Sequence, residues 1–174
     1  LFSSLYECKF PEADAIDSEG YSPLVTENDL DRVQVDNIQL FGEKRMGVDV
    51  AGGGRNWSVI VLRASNGAKL LWRGKSDDTM SLVGMIIRLA EANKVMPQNV
   101  FVDSVGIGRG VRDRLWEEYW RVTGVNFGEK AETDEYLNLR AQSYWLLGEN
   151  IKTNKLKLVR DENWDELLGI RWKP

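Results

Sequence analysis

Two aspartates stand at the ends of apolar segments and lead into glycine-rich turns. Asp49 ends one such segment and is followed by Gly52-Gly53-Gly54, and Asp103 ends another and is followed by Gly106-Ile107-Gly108. A carboxylate flanked by valines is costly to desolvate unless a positive charge lies beside it. Two such carboxylates on neighbouring strands also repel each other. A cation between them would relieve both costs, so the pair predicts a cation site.

The chain contains no histidine and a single cysteine, Cys8. This composition excludes an imidazole general base, a Ser-His-Asp triad, a Cys-His pair and a structural zinc site. The remaining ligands are hard oxygen donors, which favour Mg²⁺, Mn²⁺ or Ca²⁺. The lone Cys8 also excludes a disulfide framework and predicts a reducing compartment.

Each glycine-rich turn has more than one explanation. For Asp49 there are three. It could simply accept hydrogen bonds from turn amides, it could begin a phosphate-cradling loop as in actin-like and sugar-kinase folds, or it could bind a metal beside glycines that admit nucleic acid. After Asp103, the third glycine (Gly110) comes one residue too early for a dinucleotide-binding turn. A tight strand-to-helix turn and a phosphate contact by backbone N–H groups both stay open there. No Walker A sequence occurs in the chain, so it carries no P-loop ATPase.

The elements that must position the two aspartates follow from hydrophobic spacing and turn signals. Three antiparallel strands are predicted at 44–50, 56–64 and 69–74, with a hairpin at Asn66-Gly67. Helices then alternate with strands: helices at 81–94, 108–120 and 134–149 and from about residue 161, and strands at 100–103, 122–127 and 155–159. The capping-box sequence Thr26-Glu27-Asn28-Asp29 predicts a further short helix through Val33.

This order of elements is the ribonuclease H-like arrangement, an α/β fold with a mixed sheet and helices on both faces. In that arrangement the first and fourth strands of the core lie side by side. Asp49 and Asp103 are therefore expected to face one metal site.

Size and charge bound the function. The 174 residues suit one domain with a sizeable core, and no apolar run is long enough to cross a bilayer. We expect no signal peptide, and the start at Leu1 suggests a fragment or a processed product. A net charge of −4 argues against a general nucleic-acid-binding protein but not against a nuclease with a local basic face.

Basic and aromatic residues each allow two explanations. A basic face could be formed by arginines that are equally well explained as solvated helix surface: Arg109, Arg112, Arg114 and Arg121. Arg140 lies on a polar helix face that is either simply solvated or able to reach a phosphate or orient an acidic ligand. The seven tryptophans could stack on bases, although such residues more often build cores or interfaces.

Several segments, in order along the chain, resemble the nuclease domain of tailed-bacteriophage terminase large subunits. They are Val48-Asp49 with its glycines, Val102-Asp103-Ser104-Val105-Gly106-Ile107-Gly108, Asn126-Phe127-Gly128-Glu129 and Asn138-Leu139-Arg140-Ala141. Tyr6-Glu7-Cys8-Lys9-Phe10-Pro11 resembles the arm that follows the ATPase domain in that family. The resemblance implies that residues 1–40 are an arm from an absent ATPase domain and that residues 41–174 are a ribonuclease H-like nuclease domain lacking its C-terminal end.

The resemblance also implies an activity. Such domains are RuvC-like, Mg²⁺- or Mn²⁺-dependent endonucleases that cut concatemeric viral double-stranded DNA during genome packaging, with two metal ions. Asp49 and Asp103 match the first two metal-binding acids and are the expected catalytic residues. The family's third acid matches no residue here, since the late acids fit no motif: Asp161, Glu162, Asp165 and Glu166.

The implied partners are double-stranded DNA, the portal protein and the small terminase subunit, with no membrane. The implied location is the host cytoplasm, with transient attachment to the procapsid portal. Two other functions stay open. One is a docking module of the packaging motor with an incomplete active site, and the other is a nucleotide-binding half of an actin-like or sugar-kinase fold.

Overall fold

The computed structural model describes residues 16–52, 56–75 and 78–173. The expectations placed on Tyr6–Pro11, on Cys8 and on Gly53-Gly54 concern residues outside these ranges. The strands are β1 (Ser22–Pro23), β2 (Gln34–Val35), β3 (Arg45–Asp49), β4 (Ser58–Arg63), β5 (Gly67–Gly74), β6 (Val100–Asp103), β7 (Thr123–Val125), β8 (Lys157–Val159) and β9 (Arg171–Trp172). The α-helices are α1 (Glu27–Val33), α2 (Thr79–Asn93), α3 (Ile107–Glu117) and α4 (Leu139–Lys152), and 3-10 helices span Pro97–Asn99 and Glu162–Gly169.

The described strands form a mixed sheet of seven, in the order β2-β8-β5-β4-β3-β6-β7, and β1 pairs separately with β9. Strands β3, β4 and β5 pair antiparallel, which confirms the predicted three-strand meander. Strand β3 pairs in parallel with β6, and β6 pairs in parallel with β7. The first and fourth strands of the core are therefore neighbours, as the ribonuclease H-like arrangement predicts.

Helices pack on both faces of the sheet because successive side chains of each strand alternate between the faces. One core joins the sheet to α2 and α3 and includes Met46, Val48, Ile60 and Val102. A second core joins the other face to α1 and α4 and includes Leu30, Val33, Ile151 and Leu158. Among the described helices, none has the length and hydropathy needed to cross a membrane.

The N-terminal part of the described chain belongs to this architecture. Thr26 caps α1 through the predicted capping box: its side chain accepts from the Asp29 amide, and the Asp29 carboxylate accepts from the Thr26 amide. Leu30 and Val33 are fully buried in the second core, and β2 pairs with β8 in the main sheet. The domain division at residue 40 stays a prediction.

Several predicted element boundaries were wrong. The helix expected at 134–149 begins at Leu139, because the Asn138 side chain accepts from the Ala141 amide at 2.9 Å and so caps the helix there. Leu137, inside the predicted range, precedes the observed helix and is 90% exposed. The helix expected at 81–94 begins at Thr79, because the Asp78 side chain accepts from the Met80 amide at 2.9 Å and caps it there. Tyr119 lies outside α3 with a φ of 64°.

Candidate active site

Asp49 and Asp103 are the last residues of two adjacent parallel strands. The register pairs Gly47 with Phe101 and Val48 with Val102, and the two aspartates are the next residues along. Val48 and Val102 are buried in the core shared with α2 and α3, so the alternation of a strand turns both aspartates to the opposite face. The predicted convergence of the two carboxylates at one sheet edge is present in the structure.

The turn after Asp103 is a tight connection from β6 into α3. The Val105 amide donates to Asp103 Oδ1 at 3.0 Å, which orients the carboxylate. Gly106 has a φ of 61° that L side chains rarely adopt. Gly108, in the first turn of α3, packs so closely on Asp103 that an added Cβ would overlap the Asp103 carbonyl oxygen.

The turn after Asp49 is anchored differently. The Ala51 amide donates to the hydroxyl of buried Ser58 on β4 at 3.0 Å. The Asp49 carboxylate itself accepts no hydrogen bond from the described residues. Gly52 lies against Ile107, the first residue of α3, where an added Cβ would collide with the isoleucine side chain. Gly52 and the start of α3 are therefore packed on each other.

Electrostatics couple the two acids. Burial raises the pKa of Asp49, and the nearby Asp103 carboxylate raises it further. The Arg140 guanidinium acts in the opposite direction, and Glu166 adds to the increase in the Asp49 pKa. Desolvation and like charge are the two penalties that a bound cation relieves.

The acids open into a cleft of about 500 Å³ between the sheet and α4. Its floor includes Gly47, Val61 and Phe101, and its wall on α4 includes Arg140, Ser143 and Tyr144. Gly47 faces open space, since a Cβ added to it would have no atom within 4 Å.

Arg140 reaches the cleft because the chain before α4 is fixed to the loop that follows β7. The Leu139 amide donates to the Glu129 carbonyl at 2.9 Å, and the Arg140 amide donates to the Phe127 carbonyl at 3.1 Å. The Arg140 guanidinium forms no ion pair or hydrogen bond with the described residues. It is thus a cation held at the cleft and able to bind an anion.

The donor set suits a hard divalent cation, since Mg²⁺ sites commonly use one or two protein carboxylates plus substrate phosphate oxygens. Within the described ranges, no group of three or more acidic, cysteine or histidine side chains is placed to hold a metal. Asp161 caps the 3-10 helix at Glu162–Gly169, and Glu166 pairs with Arg73 at 3.4 Å. The third carboxylate stays unassigned.

Two arginines of the predicted basic face form ion pairs with neighbouring acids, and two of the tryptophans pack on each other. Arg112 pairs with Asp113 at 2.6 Å, and Arg114 pairs with Glu117 at 2.7 Å and with Glu118 at 3.0 Å. Trp145 and Trp172 stack edge to face at 5.0 Å, as core or interface tryptophans do. Sequence reasoning missed Ser143 and Tyr144 as cleft residues, because only the tertiary placement of α4 brings them over the sheet.

Solved structures with the same fold come from bacteriophage terminases. One is a mutant of the large terminase subunit of bacteriophage Sf6 solved with calcium. It is 15% identical to this chain with a TM-score of 0.71, and the match covers 87% of this chain and 83% of the Sf6 chain. The zinc-bound large terminase nuclease of thermophilic phage G20c is 16% identical with a TM-score of 0.61, and the match covers 83% of this chain and 86% of the G20c chain. The large terminase nuclease domain of Thermus phage P74-26 is 14% identical with a TM-score of 0.57, and the match covers 80% of this chain and 75% of the P74-26 chain.

No protein-family model matches the sequence, and no curated protein is detectably similar to it. The structural similarity extends over most of the chain at low sequence identity. The chain therefore has the ribonuclease H-like fold of the nuclease domains of phage large terminase subunits.

Proposed function

We propose that the chain is a divalent-metal-dependent endonuclease that hydrolyses phosphodiester bonds of double-stranded DNA during viral genome packaging. The observation that carries the proposal is the placement of Asp49 and Asp103 at the ends of adjacent parallel strands, at the mouth of a cleft that also contains Arg140. The shared fold supports it, and the similar Sf6 and G20c nuclease domains were solved with manganese and with magnesium, respectively.

In this proposal Asp49 and Asp103 supply the protein ligands for Mg²⁺ or Mn²⁺. Two such ions, when bound, lower the pKa of an attacking water and stabilise the departing 3′-oxygen. The carboxylates of Asp49 and Asp103 would hold these ions at the ends of β3 and β6. The Val105 amide holds the Asp103 carboxylate in one orientation, which reduces the entropy lost on ligand binding.

Arg140 is assigned to the DNA. A guanidinium binds two phosphate oxygens in a fixed planar arrangement, and its charge stays in place at all working pH values. Beside the acids, Arg140 would hold the phosphate being cut and offset the negative charge that it brings toward Asp49 and Asp103. Its attachment through Phe127 and Glu129 keeps that cation at the cleft.

The biological setting comes from the similar proteins. Cutting of concatemeric DNA, contact with the portal protein and small terminase subunit, and action in the host cytoplasm and at the portal are proposed on that similarity. The assignment of residues 1–40 to an arm and residues 41–174 to the nuclease domain is proposed on the same basis. The docking-module alternative is not favoured, because the similar structures are nuclease domains.

Plasmid cleavage in Mn²⁺ tests the proposal. Asp49→Ala and Asp103→Ala are expected to abolish cleavage, whereas Asp36→Ala should retain it, since Asp36 is 93% exposed and follows β2, at the other side of the sheet. Full activity in either active-site variant would refute the assignment. Titration calorimetry separates the docking alternative, which predicts no Mn²⁺ binding at millimolar concentration.

A further inference from the structure

An exposed tryptophan with two cations lies near the acid pair and is not used in the proposed chemistry. Trp57 is 44% exposed. The Arg73 guanidinium carbon is 4.7 Å from the centre of its ring, and Lys75 Nζ is 4.9 Å from it. We call these three residues the Trp57 cluster.

The sheet register places the Trp57 cluster on the same face as the acids. Asp49 pairs with Val59, and Val59 pairs with Arg73. Directly opposite residues of antiparallel strands share a face, so Arg73 lies on the face that carries Asp49. Two strand spacings of about 4.8 Å separate them, which is roughly 10 Å across the sheet.

The cluster also lies at the same edge of the sheet as the acids. Ser58 pairs with Gly74, so Trp57 and Lys75 are the residues just beyond the β4–β5 ladder. Because β4 runs antiparallel to β3 and β5, this is the edge at which β3 ends in Asp49. A rigid duplex placed on the acids would extend over neighbouring residues of that edge, since roughly 10 Å corresponds to about three base-pair steps.

The cations of the cluster retain capacity for an anion. Lys75 forms no ion pair with the described residues. Arg73 forms one ion pair with them, at 3.4 Å, to Glu166, whose side chain is 75% exposed. An exposed cation–π contact stabilises a fold only slightly. It does restrict the flexible side chains of Arg73 and Lys75, which lowers the entropic cost of holding them for a ligand.

We propose that the Trp57 cluster binds the phosphodiester backbone of DNA beside the acid pair. Arg73 and Lys75 are the contact residues, and Trp57 is a positioning residue that holds both cations. The proposal deepens the proposed nuclease function and rests on it for the identity of the ligand. Complementary charge selects the phosphate backbone, because a protein with a net charge of −4 must meet DNA through local cations.

The chain contains a matched control for this cluster. Arg112 and Arg121 lie over the ring of Trp116 at 5.3 Å and 5.2 Å, and Trp116 is 39% exposed. Trp116 lies nine residues after Ile107 in α3, roughly 13 Å along the helix from its start beside Asp103. Arg121 comes before β7, whose last residue, Val125, pairs with Asp103, so Arg121 is a cation over an exposed tryptophan at the end of the strands opposite the aspartates.

The test is fluorescence anisotropy with a short labelled DNA duplex and no divalent metal, over a range of salt. Each lost phosphate contact reduces the slope of log K against log salt by about 0.9. A fourfold rise in salt lowers the affinity of both proteins, and the factor by which it falls should be about 3.5 times smaller for Lys75→Gln than for the parent. Lys75→Arg should keep the parental slope, and Arg121→Gln should leave affinity and slope unchanged.

Trp57→Leu tests the positioning role without changing charge. It is expected to weaken duplex binding, whereas Trp116→Leu is not, and a thermal melt of each variant checks that the chain is folded. If Lys75→Gln keeps the parental slope, or if Arg121→Gln lowers it equally, the proposal is overturned.

Binding and cleavage separate this inference from the proposed function. If the parent fails to cleave DNA in Mn²⁺ but Lys75→Gln lowers the salt slope, the nuclease proposal fails and the binding site stands. If the parent cleaves and the slope does not change, only the Trp57 cluster proposal fails.

Discussion

Gly108 offers a direct test of how the acid site is built. It is buried in the first turn of α3, directly against the end of β6. In Gly108→Ala the new Cβ would overlap the Asp103 carbonyl oxygen and come within 3.0 Å of the carbonyl carbon. Both atoms are backbone, so no side-chain rotation relieves the collision. The start of α3 and the end of β6 must move apart.

The expected cost follows from the type of collision. Overpacking a buried site typically costs about 1–3 kcal/mol, and a collision with backbone belongs in the upper part of that range. For a chain of this size, about 2–3 kcal/mol corresponds to a fall in Tm of roughly 4–12 °C. Because the movement displaces Asp103, Mn²⁺ affinity and DNA cleavage should fall as well.

Gly110→Ala, two residues further along the same helix, is the matched control. Nothing lies within 4 Å of its added Cβ. Replacing an exposed helical glycine by alanine favours the helix by about 0.5–1 kcal/mol. The control should therefore raise the Tm by roughly 1–4 °C and leave Mn²⁺ affinity unchanged.

Differential scanning calorimetry in EDTA, followed by Mn²⁺ titration of both variants, measures the two effects. The Tm should change with opposite signs for these two identical substitutions in one helix. Equal stability of Gly108→Ala and Gly110→Ala, or unchanged Mn²⁺ affinity in a destabilised Gly108→Ala, would refute it.

Three further predictions address the cleft. Because burial and Asp103 raise the pKa of Asp49, the ionised carboxylate destabilises the folded chain. Asp49→Asn should therefore raise the Tm in EDTA at neutral pH, and this gain should shrink as the pH falls through the folded-state pKa of Asp49 toward the usual Asp range. A gain in Tm that does not depend on pH would contradict this. Free Mn²⁺ at about ten times its Kd should raise the parental Tm by roughly 3–6 °C, and Asp103→Asn should lose most of that increase in the same melts; a full increase in the variant would contradict the assignment. Gly47→Val should fill open cleft space, lower plasmid cleavage and leave the Tm unchanged or higher, whereas full cleavage would show that DNA does not need that space.

Local patterns predicted the elements that carry the two acids. The β6 segment Val100–Asp103 was predicted with its observed bounds, since an apolar run before a glycine turn has few alternatives. The Asn66-Gly67 turn likewise predicted the β4–β5 hairpin. These signals lie within a few residues of one another, so the sequence expresses them directly.

The rest of the site depends on contacts between distant segments. The start of α4 was placed five residues too early, because the periodic pattern continued past the point where Asn138 caps the helix. Arg73 lies on β5 and Glu166 on the second 3-10 helix, 93 residues apart in sequence. No local sequence pattern predicts a contact over that separation. The cleft depends on the placement of α4 over the sheet, which the second core and the loop after β7 both fix.

The contact between Gly52 and Ile107 also limits how this protein can diverge. Surface turns ordinarily tolerate insertions and deletions, because each connects its elements independently of the others. Gly52 and Ile107 are packed on each other, so a residue inserted between Asp49 and Gly52, or between Asp103 and Ile107, would disturb this contact and shift the adjacent aspartate. We therefore expect length changes among relatives of this chain to spare residues 50–52 and 104–107 together.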